Sequence, residues 1–97
     1  MNIDFSTKKG EIVFNELSLE KNIPLDKQQD FLKEDMLQVE FPCGYILDVG
    51  WRPSFDINGR FYIYLIKDFD WEEPVYSGNA GDIDSLLFEI NQAINKL

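Results

Sequence analysis

The sequence lacks histidine altogether, and this absence removes several kinds of active site. Serine–histidine–aspartate and cysteine–histidine catalysis are excluded, as are zinc sites built on imidazole. The single cysteine, Cys43, stands in the turn-like sequence FPCG with no evident base beside it, so we expect a structural thiol rather than a nucleophile. No glycine pattern matches a phosphate-binding loop. These absences argue against an enzyme.

Long apolar runs are also missing. No stretch approaches the ~20 apolar residues of a membrane-spanning helix. The first ten residues, MNIDFSTKKG, contain no apolar segment like that of a signal peptide. A lone cysteine, which cannot form a disulfide within the chain, fits a reducing compartment. We therefore predict a cytoplasmic protein that does not contact a membrane.

Basic residues are scarce. Nine Lys and Arg stand against 18 Asp and Glu, for a net charge of −9. The imbalance grows along the chain, because residues 1–67 carry a net charge of −3 and residues 68–97 a net charge of −6. Such a field repels nucleic-acid backbones and attracts a basic partner. Solubility alone is the other explanation for the charge.

The remaining composition predicts one small folded domain. The 97 residues are 44% hydrophobic and include 14 aromatic side chains if Phe, Trp and Tyr are counted together, enough for one core without metal or disulfides. Alternation of apolar and polar residues predicts strands at 36–41, 45–51 and 60–67, and a shorter strand begins the segment 11–19. The stretch between the last two long strands, RPSFDING, has turn chemistry and predicts a hairpin.

Two helices complete the prediction. The segment 24–34 begins with a proline and contains good helix formers over a thin apolar face. Residues 83–97 carry one continuous apolar stripe at intervals of three and four, preceded by Asp82 as a candidate N-cap. We predict a single α+β domain with an antiparallel four- to five-stranded sheet, packed by a C-terminal amphipathic helix and a smaller N-terminal helix. Residues 74–81 are expected to form a loop.

The stretch KDFDWEEP, residues 67–74, concentrates four carboxylates around two aromatic rings. Asp68, Asp70 and Glu72 alternate like the first three ligands of a calcium loop. Glu73, however, replaces the glycine that the turn of such a loop needs, and Asn79 replaces the bidentate glutamate. We therefore expect no metal and no other cofactor.

As a strand, this stretch would direct its alternate carboxylates to water and use Phe69 and Trp71 to seal the core. The acidic ridge would then either solubilise a sheet edge or receive a positively charged partner. Under the second interpretation we expect the contact centre at Asp68, Asp70, Trp71, Glu72 and Glu73, with neighbours at Tyr62, Tyr64, Asp48 and Asp56. Trp51, at a strand end, is expected in the core.

Several features occur together in residues 40–97: the strand end DVGWRP, the Asn58–Gly59 turn, the strand FYIYLI, the Asp70–Trp71 pair with Pro74, and a closing amphipathic helix. In layout and character this region resembles the small acidic immunity proteins encoded beside bacterial toxins, especially those of contact-dependent growth-inhibition systems. The family has no diagnostic motif, so the resemblance assigns no residue roles. It implies a non-enzymatic cytoplasmic protein that binds one cognate toxin domain, often a nuclease, and blocks its active site or substrate surface.

Three hypotheses follow. The first is an immunity protein, monomeric before it meets its partner, that neutralises a basic toxin domain, an RNase in particular, without binding nucleic acid itself. The second is a small structural or adaptor subunit of a bacterial complex that buries the face of Tyr62, Tyr64 and Ile66 against another chain. The third, a metal-dependent or carboxylate-based enzyme, has the least support in the residues.

Overall fold

The computed structural model describes residues 5–97 and contains one five-stranded sheet with a single α-helix. The strands are β1 (Glu11–Asn15), β2 (Leu37–Phe41), β3 (Tyr45–Arg52), β4 (Arg60–Lys67) and β5 (Tyr76–Ala80), and the helix is α1 (Ile83–Ile94). Strands lie in the order of the chain, each antiparallel to the next. The predicted α+β class and the antiparallel sheet are confirmed.

One face of the sheet forms the core beneath α1. Cross-strand pairs such as Leu37 with Val49 and Val39 with Leu47 lie fully inside it, which explains the alternation in the sequence. Trp51 is buried there as expected and meets Phe61 edge to face, with ring centroids 4.7 Å apart. The predicted β3–β4 hairpin is confirmed.

The C-terminal helix follows its sequence pattern closely. Its stripe of Ile83, Leu86, Ile90 and Ala93 is buried against β4 and β5. Asp82 caps it, since the Asp82 carboxylate accepts a hydrogen bond of 2.7 Å from the Ser85 backbone N–H. Hydrogen bonding from Ser85 lowers the pKa of Asp82.

The smaller N-terminal helix is not formed as a continuous element. Residues 24–34 instead contain two 3-10 turns, Leu25–Lys27 and Gln29–Phe31. Gln28, between them, is buried, and its side-chain amide accepts from the Glu20 N–H and donates to the Glu20 and Ile23 carbonyls. These bonds tie the segment to the preceding loop. Its own backbone N–H groups bond three residues back, as from Gln28 to the Leu25 carbonyl, and not four as in an α-helix.

The segment after β4 also differs from its prediction. Residues 68–74 turn away from the sheet instead of continuing as a strand, and β5 forms where we expected a loop. Asp68 and Phe69 adopt left-handed backbone conformations, with φ of 54° and 61°. In β5, Gly78 lies beneath the helix, where an added Cβ would be 2.1 Å from the Glu89 Oε1 atom. Small residues therefore suit this strand, although they give no apolar alternation.

Candidate partner-binding surface

Residues 68–73, called here the acidic loop, protrude from the end of β4. The Phe69 side chain is 73% exposed and the Trp71 side chain 47% exposed. The expectation that these rings seal the core is therefore wrong. Instead, the loop presents two large apolar groups among the four carboxylates of Asp68, Asp70, Glu72 and Glu73, all exposed.

The backbone of the acidic loop is held by its own hydrogen bonds. The Asp68 N–H donates to the Gly44 carbonyl at 3.0 Å, which fastens the start of the loop to the β2–β3 turn. The Asp70 N–H donates to the Lys67 carbonyl at 3.0 Å, and the Glu73 N–H donates to the Asp70 carboxylate at 3.3 Å. The exposed rings are thus displayed on a tight turn and not on a loose segment.

The carboxylates of the acidic loop have no cationic counterpart in the part of the chain that the structure describes. The two salt bridges found among residues 5–97 join Lys21 to Asp84 at 3.0 Å and Lys33 to Glu16 at 3.1 Å. Neither involves the loop. Its negative potential is therefore directed at solvent and is free to act on a partner.

The sheet face opposite α1 carries the predicted neighbours. The Tyr62 and Tyr64 rings stack with centroids 6.5 Å apart and an interplanar angle of 11°, and the Arg52 guanidinium carbon lies 5.9 Å from each centroid. Both rings are half-buried. Cation–π contact with Arg52 holds the two tyrosines in place as one flat, amphipathic surface.

Asp48 lies on the same face, opposite Tyr64, and is only 9% exposed. Burial raises the pKa of Asp48, and the nearby charge of Asp35 raises it further, while Arg52 and a hydrogen bond from Gln38 partly offset the shift. With Phe14, the Asp35, Gln38 and Asp48 side chains line a shallow cavity of about 270 Å³. Asp48 belongs to the interior of this face more than to an outer contact surface.

The structure separates Asp56 from the acidic loop. Asp56 lies in the turn before β4, whereas the acidic loop follows β4, so the eight residues of that strand put them roughly 25 Å apart. The Asp56 carbonyl accepts from the Trp51 indole N–H at 2.7 Å, and its carboxylate accepts from the Asn58 N–H at 2.9 Å. These contacts give Asp56 a place in stabilising the hairpin turn.

Two exposed groups escaped the sequence reasoning. Phe88, on the outer side of α1, is 60% exposed. Phe88 lies outside the apolar stripe of α1, and this departure from the pattern could have predicted its exposure. Ser77 and Asn79 of β5 also reach the surface, but a small polar strand carries no such signal.

Three further observations concern the described residues 5–97. These residues contain no group of three or more His, Cys, Asp or Glu side chains arranged to hold a metal ion. Cys43 is exposed in the turn before β3, with a backbone φ of 68°. In the same part of the chain, no helix has the length and apolar character to cross a membrane.

Comparisons with known proteins give no indication of the function. No protein-family model matches the chain, and searches of curated proteins and of solved structures gave no match either.

Proposed function

We propose that this protein is an immunity protein that binds a basic toxin domain, a nuclease in particular, and neutralises it by stoichiometric binding. The observation that carries the proposal is the acidic loop, in which unpaired carboxylates surround the exposed Phe69 and Trp71 rings. Interfaces commonly place an aromatic anchor at the centre of a charged rim.

The physical argument rests on the combination of the two kinds of group. Exposed carboxylates alone keep a protein soluble, and an exposed ring alone risks aggregation. Held together on one turn, the charges speed encounter with a basic surface and the rings supply apolar area that is buried on docking. Toxin domains that act on nucleic acid are basic where they bind the phosphate backbone, so an acidic blocker complements them.

Part of the surface that the adaptor hypothesis requires is not exposed. The hypothesis required the apolar face of Tyr62, Tyr64 and Ile66 to be open, but Ile66 is 0% exposed. Sedimentation of the isolated protein separates the two proposals. A monomer supports the immunity function, and an obligate oligomer supports the adaptor.

The direct test uses the polypeptide encoded immediately upstream of this chain, with affinity measured by calorimetry at low and moderate salt. Lysine replaces all four loop carboxylates, Asp68, Asp70, Glu72 and Glu73. We expect affinity to fall by about 100-fold or more and its salt dependence to flatten, because charge pairs across an interface lose their attraction and become repulsive.

The matched control reverses four exposed acids elsewhere: Glu11, Glu20, Asp26 and Asp30. It makes the same change in net charge but lies outside the proposed contact surface. We therefore expect affinity to fall by less than about 10-fold, through the long-range field alone. Equal losses in the two variants, or no binding of the unaltered protein to the upstream polypeptide, would contradict the proposal.

A further inference from the structure

The sheet has two edges, and they differ in regularity. β1 forms one edge, and its pairing with β2 shifts register between Ile12 and Phe14. β5 forms the other edge and pairs with β4 through five consecutive residues without a shift. Irregular pairing at an edge discourages the addition of another strand, whereas a regular edge permits it. The β5 edge, on which no further strand of residues 5–97 pairs, is therefore the better template.

Hydrogen bonding shows which groups of β5 point outward. The Val75 N–H donates to the Leu65 carbonyl at 2.7 Å, so Leu65 directs its backbone groups toward β5. In an antiparallel ladder, alternate residues of a strand bond to the same neighbour, so Ile63 and Phe61 also direct their backbone groups toward β5. Their partners in β5, together with the partner of Leu65, are Tyr76, Gly78 and Ala80, and these three residues bond inward. The backbone N–H and C=O groups of Ser77 and Asn79 face away from the sheet, and both residues are exposed.

Acidic groups bracket this edge. The acidic loop precedes β5, and Asp82 and Asp84 follow it at the start of α1. Glu89 lies over the middle of the strand, where its carboxylate accepts from the Tyr76 hydroxyl at 2.9 Å. Residues 68–97 carry a net charge of −6. All their acids are therefore found at the ends of β5 or above it.

The helix side of the edge also offers room for side chains. A groove of about 440 Å³ lies between β5 and α1, lined by Asn79, Ala80, Ser85, the exposed Phe88, the carboxylates of Asp84 and Glu89, and Arg60. Arg60 is the one cation of this lining and donates from Nε to the Asn79 side-chain oxygen at 2.8 Å. Every second side chain of an added strand would enter this groove.

We propose that the β5 edge takes up an extended basic segment of the partner as a sixth strand of the sheet. This inference rests on the proposed function and names the mode of contact. Main-chain hydrogen bonds to Ser77 and Asn79 supply the pairing. Basic side chains meet the acidic loop at one end and Glu89 in the groove, whereas Asp84 is already paired with Lys21. An apolar side chain covers Phe88.

The test uses a capped eight-residue peptide of alternating lysine and threonine, with a glutamate–threonine peptide as charge control. At saturation we expect amide hydrogen exchange at Ser77 and Asn79, followed by NMR, to slow by about 10-fold or more, because both N–H groups acquire acceptors. Ser77→Pro removes one outward N–H without breaking the β4–β5 ladder and is expected to weaken binding by about 10-fold. Ser77→Ala, which keeps the N–H, should bind within about 2-fold of the unaltered protein.

The outcomes separate this inference from the function on which it rests. Exchange protection confined to residues 68–73, or no saturable binding, overturns strand addition and leaves the charge-based proposal standing. Protection at Ser77 and Asn79 by both peptides alike overturns the basic character of the segment. The exchange measurement uses the unaltered protein, so its result does not depend on the folding of Ser77→Pro.

Discussion

Asp48 is a buried carboxylate on the sheet face opposite α1. The carboxylate is nine-tenths buried, and its strongest opposing charge, Arg52, is also engaged with the Tyr62 and Tyr64 rings. Burial raises the pKa of Asp48, so the folded state disfavours the charged form. The residue therefore costs stability at neutral pH, while Arg52 and Gln38 limit that cost.

The pH dependence of this cost can be measured. A carboxyl group whose pKa is raised on folding carries no penalty at low pH, and the penalty develops as pH rises from the ordinary Asp value of about 3.9 through the raised value. Asp48→Asn should increase the free energy of unfolding at pH 7.5 by up to about 1 kcal/mol. The gain should shrink as pH falls toward 4, in urea denaturation.

Asp30→Asn, at an exposed position, is the control for that comparison and should change stability little at either pH. A loss of stability in Asp48→Asn that does not vary with pH would show that the hydrogen bond from Gln38 outweighs the burial of the charge.

Residues whose role is decided locally were predictable from the sequence. Asp82 was expected as an N-cap because a short acid before an apolar stripe has that role in most contexts. A glycine within a strand marks a bulge or a close backbone approach, and an added Cβ at Gly50 would overlap the Glu34 carbonyl oxygen. The exposure of Trp71 was not predictable, because it depends on where the chain turns after β4.

At the scale of elements, the pattern succeeded where one face meets the core and failed where tertiary contacts decide. The β2 and β4 strands and α1 each bury a periodic stripe, and β3 is buried on both faces along most of its length. β5 is a strand because it pairs with β4 beneath the helix, and its sequence YSGNA carries no apolar alternation. The acidic stretch alternates like a strand, yet the chain reverses there. Propensity gives way to context in both places.

The acidic loop contains one residue, Phe69, that combines a strained backbone conformation with an exposed ring. Phe69 adopts a left-handed conformation, with φ of 61°, which costs a non-glycine residue about 1 kcal/mol. Asn tolerates this conformation better than Phe does. Because the Phe69 ring is mostly exposed, little burial is lost on replacement. Phe69→Asn should therefore raise the free energy of unfolding by up to about 1 kcal/mol while weakening partner binding.

Phe88→Asn is the matched control, because Phe88 is also largely exposed but lies in the regular α1 helix. It should give no gain in stability, measured by the same denaturant titration. If Phe69→Asn lowers stability as much as Phe88→Asn does, the strain at Phe69 contributes nothing.

Across the whole molecule, charge is distributed from one sheet edge to the other. Residues 5–33, which include the β1 edge, hold five acids and five bases and are balanced. Residues 68–97, which include the β5 edge and α1, carry a net charge of −6. The sequence revealed the gradient along the chain, but only the order of the strands shows that β1 and β5 lie at opposite edges. Lys21 of the balanced segment nevertheless reaches Asp84 of α1. The proposed partner therefore approaches from the β5 side.

The same gradient predicts how salt affects the isolated protein. Raising ionic strength from about 0.01 M to 0.1 M shortens the Debye length from about 30 Å to about 10 Å, so repulsion among the acids near β5 weakens. We expect the free energy of unfolding to rise by about 1 kcal/mol over this range. Replacing Asp70 and Glu72 with lysine should remove much of this increase. The same change at Glu11 and Asp26, in the balanced segment, should remove less of it. Urea titrations of the three proteins at both salt concentrations give the comparison, and equal reductions in the two variants would mean that net charge matters and its placement near β5 does not.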